Sequence, residues 1–434
     1  MKTALLASAA MICCASVFAQ NVVNVPLEAN IQSYINSAPG GSTIQLSAGT
    51  YSGQQFQVPS GDTITGAPGG GTILNGNGLG SPMLSAGGAT NVTVSNLSVT
   101  NYQTGAQEGP IHTGAGWQIL NVTSTGNGAA GLYVGGPNNL VSGGSFSNNG
   151  QEGIAGSQAN GSTIENTTIS GNNTANFNQQ WEAGGLKITA TNGLTIKGNT
   201  VSGNNGNGIW GDIGDSNWTI TQNGVSNNAG NGVMYEISFG NTGITDNLIT
   251  GNTGSQVYVS NSSGVTVSGN GVEAPAGQHI QGDGTGGGIV AWDNSGRGSD
   301  PNGVPYLSNN DTVTGNQIIG SSSDSGIRSV IGNPTGDTFA NNTFLASGTP
   351  TAAQTPTAQA AGIPSATGGA PETSMAAAPR ASALSTAAPA DPPAAAPGQT
   401  APAAVAAPAV PGGNDPPPQQ AAAPGLPDAC RFGG

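Results

Sequence analysis

The feature that most constrains this chain is a repeat of close to 24 residues. Asn199, Asn223, Asn247 and Asn270 are separated by 24, 24 and 23 residues, and each follows a Gly, Gln or Asp. Short runs in which aliphatic and polar residues alternate, such as "LTIKG", "WTITQ" and "VTVSG", recur with the same period. A steady period of this size is typical of a solenoid in which each repeat forms one coil.

The composition selects the type of solenoid. Gly accounts for 73 of the 434 residues, and Gly and Asn at short intervals disfavour helices. No leucine-rich consensus is present, whereas the alternating runs are typical of strands that turn one face to a narrow core. The sequence therefore predicts an all-β fold, a single-stranded parallel β-helix with coils of about 22–24 residues.

The two ends of the chain differ from the repeats. The segment "MKTALLASAAMICCASVFAQ" reads as a signal peptide covering residues 1–19, which predicts a secreted or periplasmic protein. An Ala/Pro-rich composition predicts a disordered tail over 350–434, which contains Cys430, the one cysteine outside the signal peptide. The β-helix domain is thus predicted over 20–349.

The start of this domain predicts a helical cap. A stack of coils exposes unpaired strand edges at its ends, which invite aggregation unless they are covered. One helical stripe lies before the segment "STIQL", which we interpret as the first strand. The apolar residues of this stripe are Leu27, Ile31, Tyr34 and Ile35.

Strict alternation along the Gly-aliphatic strand of each coil predicts which residues point outwards. One outward column contains Lys187, followed coil by coil by Trp210, Met234 and Tyr258. A second outward column, two residues further along each strand, places Asp212 next to Glu236 at a separation of about 4.8 Å. Two carboxyl groups this close disfavour both being ionised, so a shared proton, a bound cation or Lys187 must offset their repulsion.

This outer patch can be interpreted in two ways. A pair of carboxyl groups in different protonation states supports acid–base chemistry on a sugar, and exposed Trp210 and Tyr258 would form flat platforms for sugar rings. Trp181 and Glu182 lie on an insert that enters the same patch and could form its lip. Alternatively, the two acids are in register by chance, and the aromatic residues only shield the surface.

Several partners and cofactors are disfavoured. The net charge is −14 with only seven Lys and Arg, which argues against nucleic acid as a partner. Outside the signal peptide no apolar run is long enough for a membrane span. No Cys/His zinc pattern occurs, and Ca²⁺ at Asp212 and Glu236 would need more oxygen ligands than the strands supply, so no cofactor is predicted. His112 lies four coils from Asp212, roughly 19 Å away, and His279 lies in an insert. We expect a monomer.

Four segments resemble a known family. The phrases "IQSYINSAPGGSTIQLSAGTY", "WEAGGLKIT", "GNGIWGDI" and "NAGNGVMYEIS" resemble secreted bacterial right-handed parallel β-helix proteins related to the pectate-lyase-like superfamily, over residues 24–346. The resemblance implies a polysaccharide-facing groove in which relatives place lyase, epimerase or hydrolase residues. Lys187, Asp212 and Glu236 fall at this position.

The chain also departs from the family's best-known active sites. Mannuronan-epimerase-like proteins carry Asp, Pro and His on the strand that reads "GGLKIT" here. The adjacent aspartates and Gly-His-Gly of polygalacturonase-like enzymes are missing, and the face has fewer acids than a pectate-lyase-like calcium site.

The sequence thus predicts a polysaccharide lyase or glycoside hydrolase. Lys187 or Glu236 would be the base and Asp212 the partner acid or cation ligand. The substrate would be bound by Trp181, Glu182, Trp210, Met234 and Tyr258. One alternative is a non-catalytic glycan-binding or adhesive β-helix. Another is a structural or ice-facing solenoid, which would need a regular Thr ladder.

Overall fold

The computed structural model describes residues 21–80, 82–85, 87–273, 287–292, 298–300, 303–320, 327–330, 336–349 and 351–352. The chain divides into two compact units, 1–369 and 370–434, and the second unit lies wholly outside the described residues. The predicted signal peptide, His279, Cys430 and all of the predicted tail except 351–352 also lie outside them. The predictions made for these segments stay predictions.

The described strands form three sheets, to which we give the names sheet A, sheet B and sheet C. Sheet A has 13 strands: Val22–Val25, Thr43–Leu46, Thr63–Thr65, Thr93–Ser95, Gln118–Leu120, Leu140–Ser142, Thr163–Glu165, Thr195–Lys197, Thr219–Thr221, Thr242–Thr245, Val265–Ser268, Thr312–Thr314 and Thr338–Ala340. Sheet B has 12 strands: Gly49–Ser52, Thr72–Asn75, Ser98–Thr100, Thr123–Thr125, Ser145–Ser147, Thr168–Ser170, Thr200–Ser202, Gly224–Ser226, Leu248–Thr250, Gly271–Glu273, Gln317–Ile319 and Thr343–Leu345. Sheet C has 10 strands: Leu84–Ser85, Ile111–His112, Leu132–Gly135, Glu152–Ser157, Gly184–Thr189, Asn207–Asp212, Val233–Glu236, Val257–Ser260, Ile289–Trp292 and Ile327–Val330.

The chain visits sheets A, B and C in turn, and each circuit forms one coil. Strands of successive coils pair in parallel, for example Thr195–Lys197 with Thr219–Thr221 in sheet A. Alternate residues of each strand point inwards, so the aliphatic side chains of all three sheets meet in one narrow core. The predicted all-β parallel solenoid is confirmed, and its coil-to-coil step is the period seen in the sequence.

The corner between sheets A and B explains the repeated Asn. The residue before each of these Asn adopts a left-handed backbone, for example Gln222 with φ 57° and Gly198 with φ 66°, a conformation that Gly and polar residues tolerate best. The Asn that follows turns inwards. Asn223 Nδ2 donates to the carbonyl of Ile196 at 2.9 Å and to Asn247 Oδ1 at 3.0 Å. Repeated from Asn199 through Asn247, Asn270 and Asn316 to Asn342, these bonds form an internal ladder that ties neighbouring coils together.

The N-terminal cap is a short helix, Ile31–Ser37, in which Ile31 and Ile35 are buried. Asn30 starts it by accepting a hydrogen bond from the Ser33 amide. Two details of the prediction are wrong. Leu27 precedes the helix and is 43% exposed, because the Asn30 cap fixes the first turn after it. The strand Val22–Val25 also comes before the helix and pairs with Thr43–Leu46, so "STIQL" is the second strand of sheet A.

Candidate functional site

The predicted outward columns exist on the outer face of sheet C. Asp212 pairs directly with Glu236, two residues beyond the pair of Trp210 and Met234 on the same strands. The first column continues from Lys187 through Trp210 and Met234 to Tyr258. The sequence period therefore placed the predicted site residues on one face and in the right order.

Lys187 is the residue that offsets the carboxyl pair. Its ammonium donates to Asp212 Oδ2 at 2.8 Å and to the carbonyl oxygen of Trp181 at 2.6 Å. The same nitrogen lies 3.8 Å from the centre of the Trp210 ring, a cation–π distance. The three contacts use the hydrogen-bonding capacity of the ammonium group and fix Lys187 between the insert and the sheet.

The prediction that the aromatic column is exposed is wrong. Trp210 and Met234 are buried and Tyr258 nearly so, and with Val290 they form an apolar cluster separate from the main core. Side chains stacked about 4.8 Å apart pack against one another, and the Lys187 ammonium covers the Trp210 ring. Trp210 and Tyr258 are therefore not open platforms. Asp212 and Glu236 lie on the outer face but are only 5% and 4% exposed.

The accessible part of the patch is the predicted lip. Trp181 is 41% exposed, and its backbone carbonyl holds Lys187. Glu182 is half-buried, and its Oε2 lies 3.4 Å from Gln151 Nε2. Burial raises the pKa of Glu182, whereas the Lys187 ammonium and the Gln151 hydrogen bond counteract the rise. This carboxyl group thus combines partial access to solvent with a tendency to keep its proton.

Glu152 belongs to the same patch, and the sequence analysis missed it. It begins the strand Glu152–Ser157 and pairs with Gly184. Burial raises its pKa to about 8, and the nearby Lys187 ammonium opposes the rise. Strict alternation back from the inward Ile154 assigns Glu152 to the interior, so the pattern could not have placed it on this patch. The alternation is broken at Gly153, where a Cβ atom would meet the core residues Ile169 and Phe146. Asp215 was also missed. Its Oδ1 accepts the Thr191 amide at 2.8 Å, and burial raises its pKa well above the usual range.

Three buried polar atoms around Lys187 have no hydrogen-bond partner among the described residues. They are Trp210 Nε1, Asp212 Oδ1 and Glu152 Oε2. Buried polar atoms without partners are rare in folded proteins. Their grouping beside one ammonium indicates hydrogen-bonding capacity that the protein's own described side chains do not use.

The described part of the chain shows no metal site and no membrane span. No group of three or more His, Cys, Asp or Glu in it is arranged to hold a metal ion. Nor does any helix in the same ranges have the length and apolar character needed to cross a bilayer.

Comparison with known proteins identifies the architecture. The family model described as "Right handed beta helix region" matches residues 111–272. The chain is a right-handed parallel β-helix. This match confirms the predicted right-handed parallel β-helix over these residues. The relation to the pectate-lyase-like superfamily and export stay predictions. A search of curated protein sequences finds no match.

Solved structures with the same architecture include three at low identity. The A-module of Azotobacter vinelandii mannuronan C-5 epimerase AlgE6 is 19% identical, with a TM-score of 0.57 over 73% of this chain and 89% of that one. XylC in complex with xylose is 11% identical, with a TM-score of 0.51 over 73% and 83%. The Dettilon tailspike protein is 15% identical, with a TM-score of 0.50 over 75% and 68%. At these identities the likeness shows the fold alone.

Proposed function

We propose that this β-helix is a polysaccharide-active enzyme, a lyase or a glycoside hydrolase, with its site on the outer face of sheet C. Two structural neighbours support a saccharide-related role, since one is named for mannuronan and another was solved with xylose. The observation that carries the proposal is the set of three unpartnered polar atoms around Lys187. Among the described residues, four other buried carboxyl oxygens also lack partners, at Asp62, Asp215, Asp311 and Asp337, so what distinguishes these three is that they are grouped around one ammonium.

The contacts divide the roles among the predicted residues. Lys187 is held by three groups, so it suits charge compensation for Asp212 better than proton abstraction. Glu236 is then the predicted base that remains. Glu182 suits the proton donor, because its pKa is raised and it is only half-buried. The exposed indole of Trp181 offers an apolar face to a sugar ring.

Turnover assays test the proposal. Purified protein is incubated with neutral and acidic polysaccharides, with and without Ca²⁺, and new reducing ends and unsaturated sugar ends are measured. We expect Glu182→Gln to lower turnover about 100-fold and to leave folding unchanged. Glu165→Gln is the matched control, since Glu165 lies on sheet A. The proposal fails if no polysaccharide yields new ends, or if both variants lose the same activity.

Burial of the carboxyl pair favours a second candidate function. Asp212 and Glu236 are too covered for a sugar to touch them without movement of neighbouring side chains. The protein would then bind a polysaccharide through Trp181 without cleaving it. In that case Trp181→Ala abolishes binding, Glu182→Gln leaves it nearly unchanged, and no product forms at any protein concentration.

A further inference from the structure

A second polar cluster lies on the outer face of sheet C, nearer the N-terminus. His112 Nδ1 is 3.4 Å from Glu108 Oε2, and the His112 ring lies 4.1 Å from the Tyr133 ring, centre to centre. The hydrogen bond with His112 lowers the pKa of Glu108. The column that contains Lys187 also contains His112 and Tyr133, because His112 pairs with Tyr133, Tyr133 with Ala155 and Ala155 with Lys187. The two clusters are thus three coils apart, about 14 Å.

This second cluster is open to solvent, unlike the patch around Lys187. The side chains of His112 and Glu108 are 32% and 43% exposed. Gly135 lies buried beside the two rings, where a Cβ atom would lie 3.0 Å from the Thr113 backbone oxygen, 3.2 Å from His112 Nε2 and 3.3 Å from Tyr133 Cε1. The absence of a side chain there lets the imidazole and the phenol ring pack closely on the strand, so that Glu108 and His112 reach the solvent.

A single buried side chain joins the loops that carry the two clusters. Gln151 Oε1 accepts the backbone amide of Gln107, next to Glu108, at 2.7 Å. Gln151 Nε2 donates to the backbone carbonyl of Glu182 at 3.0 Å. The loop before His112 and the insert with Trp181 are thereby linked to each other along the same side of sheet C.

The charge of this face indicates what it can bind. The face carries five carboxyl groups, at Glu108, Glu152, Glu182, Asp212 and Glu236. Burial raises the pKa of Glu152 to about 8, and Lys187 pairs with Asp212, so these two carboxyl groups add little negative charge. Lys187 and His112 are the basic side chains described beside the five, and Lys187 is already paired, so a polyanion would find few cations to pair with on this face. Sugar hydroxyl groups, by contrast, can donate to carboxylate oxygens and exchange hydrogen bonds with an imidazole.

We propose that Glu108, His112 and Tyr133 form a distal subsite for an uncharged polysaccharide, whose chain runs along sheet C from His112 to Trp181. This inference rests on the proposed function, because it extends the same groove by three coils. It also specifies the substrate class, an uncharged sugar, and with it the reaction. A lyase needs a carboxylate next to the bond that it cleaves, and an uncharged sugar has none, so hydrolysis is the reaction that fits.

Binding to oligosaccharides of increasing length tests the subsite. Calorimetry is done with neutral xylo-, manno- and cello-oligosaccharides and with uronate oligomers, on the full chain. We expect the affinity for a neutral series to rise with length until both clusters are occupied. His112→Ala and Glu108→Gln should each weaken binding of the longest members about tenfold and leave the shortest unaffected. Glu165→Gln, on sheet A, is the matched control.

The outcomes separate the subsite from the proposed function. The subsite is wrong if Trp181→Ala weakens binding while His112→Ala and Glu108→Gln bind long oligomers like the wild type. The uncharged-substrate assignment is wrong if uronate oligomers bind more tightly than neutral ones without Ca²⁺. If the wild type binds no saccharide, the proposed function fails and the subsite with it. Because the His112 ring packs against Tyr133, the melting temperature of His112→Ala is compared with that of Glu108→Gln, at an exposed position.

Discussion

At the scale of single residues, the Lys187–Asp212 ion pair has the largest consequence for stability. Removing one partner of a covered pair leaves the other charge without compensation, which typically costs about 3 kcal/mol. We therefore expect Lys187→Met to lower the free energy of unfolding by about this amount in urea titrations. Lys197→Met is the matched control, because Lys197 lies exposed on sheet A one strand later in the same coil. If Lys187→Met and Lys197→Met lowered the free energy of unfolding equally, the stabilising role of the Lys187–Asp212 pair would be contradicted.

The raised pKa of Asp311 predicts that the stability of the fold depends on pH. Burial raises its pKa to about 8, and the Asp337 carboxyl adds to the rise. A group that binds its proton more tightly in the folded state stabilises the fold at low pH, so this contribution is lost as pH rises from about 4 to about 8. Asp311→Asn removes the titration. We therefore expect the melting temperature of this variant to exceed that of the wild type by an amount that grows as the pH rises from about 4 to about 8.

An earlier coil carries an Asn at the position equivalent to Asp311 and shows how an amide fits there. Asn139 occupies the equivalent position of an earlier coil, where its Oδ1 accepts the Trp117 amide and its Nδ2 donates to the carbonyl of Gly135. An amide therefore suits this corner. Asp246→Asn, at a half-exposed turn, should not reproduce the pH-dependent gain. A constant difference between Asp311→Asn and wild type at all pH values would refute the titration argument.

At the scale of elements, the internal Asn ladder is what ties coil to coil at the corner of sheets A and B. Asn223 accepts from the amide and side chain of Asn199 and donates to Ile196 and Asn247. Asn223→Ala leaves several buried groups without partners, each worth about 1–3 kcal/mol. We expect a loss of at least about 3 kcal/mol in unfolding free energy. Thr200→Ala, on the exposed face of sheet B, should change stability by less than about 0.5 kcal/mol, and a similar loss there would contradict the ladder's role.

The same ladder shows why the fold could be predicted from the sequence. Asn at the sheet corner and alternating aliphatics repeat once per coil, so a period alone fixes which residues stack, as it did for Asp212 and Glu236. Burial of the site could not be predicted in this way. It depends on an insert outside the period, whose Trp181 carbonyl holds Lys187, and on packing among outward side chains. Glu152 was missed because strict alternation from Ile154 assigns it to the interior, whereas the alternation is broken at Gly153.

At the scale of the whole molecule, each coil is stabilised mainly by its two neighbours, so the ends of the stack should open first. The ends also differ. At the first coil, the helix Ile31–Ser37 covers the core. At the last described coil, Phe339 pairs with the core residue Val313 but is 38% exposed, and Leu345 is 39% exposed. Because each coil is stabilised by its neighbours, we expect the protection of backbone amides against hydrogen exchange to vary along the stack and to be lowest at the C-terminal end.

Native-state hydrogen exchange measures this gradient. We expect amides of Thr338–Ala340 to exchange at least about tenfold faster than those of Thr219–Thr221 in the same sheet, with the capped strand Thr43–Leu46 in between. Added denaturant should narrow the difference, because opening a central coil requires the loss of several coils and exposes more surface than opening the last coil, so denaturant promotes it more strongly. Asn223→Ala, a central lesion, should raise exchange in Thr219–Thr221 and leave Thr43–Leu46 protected. Uniform protection along sheet A would show instead that the stack unfolds as a single cooperative unit.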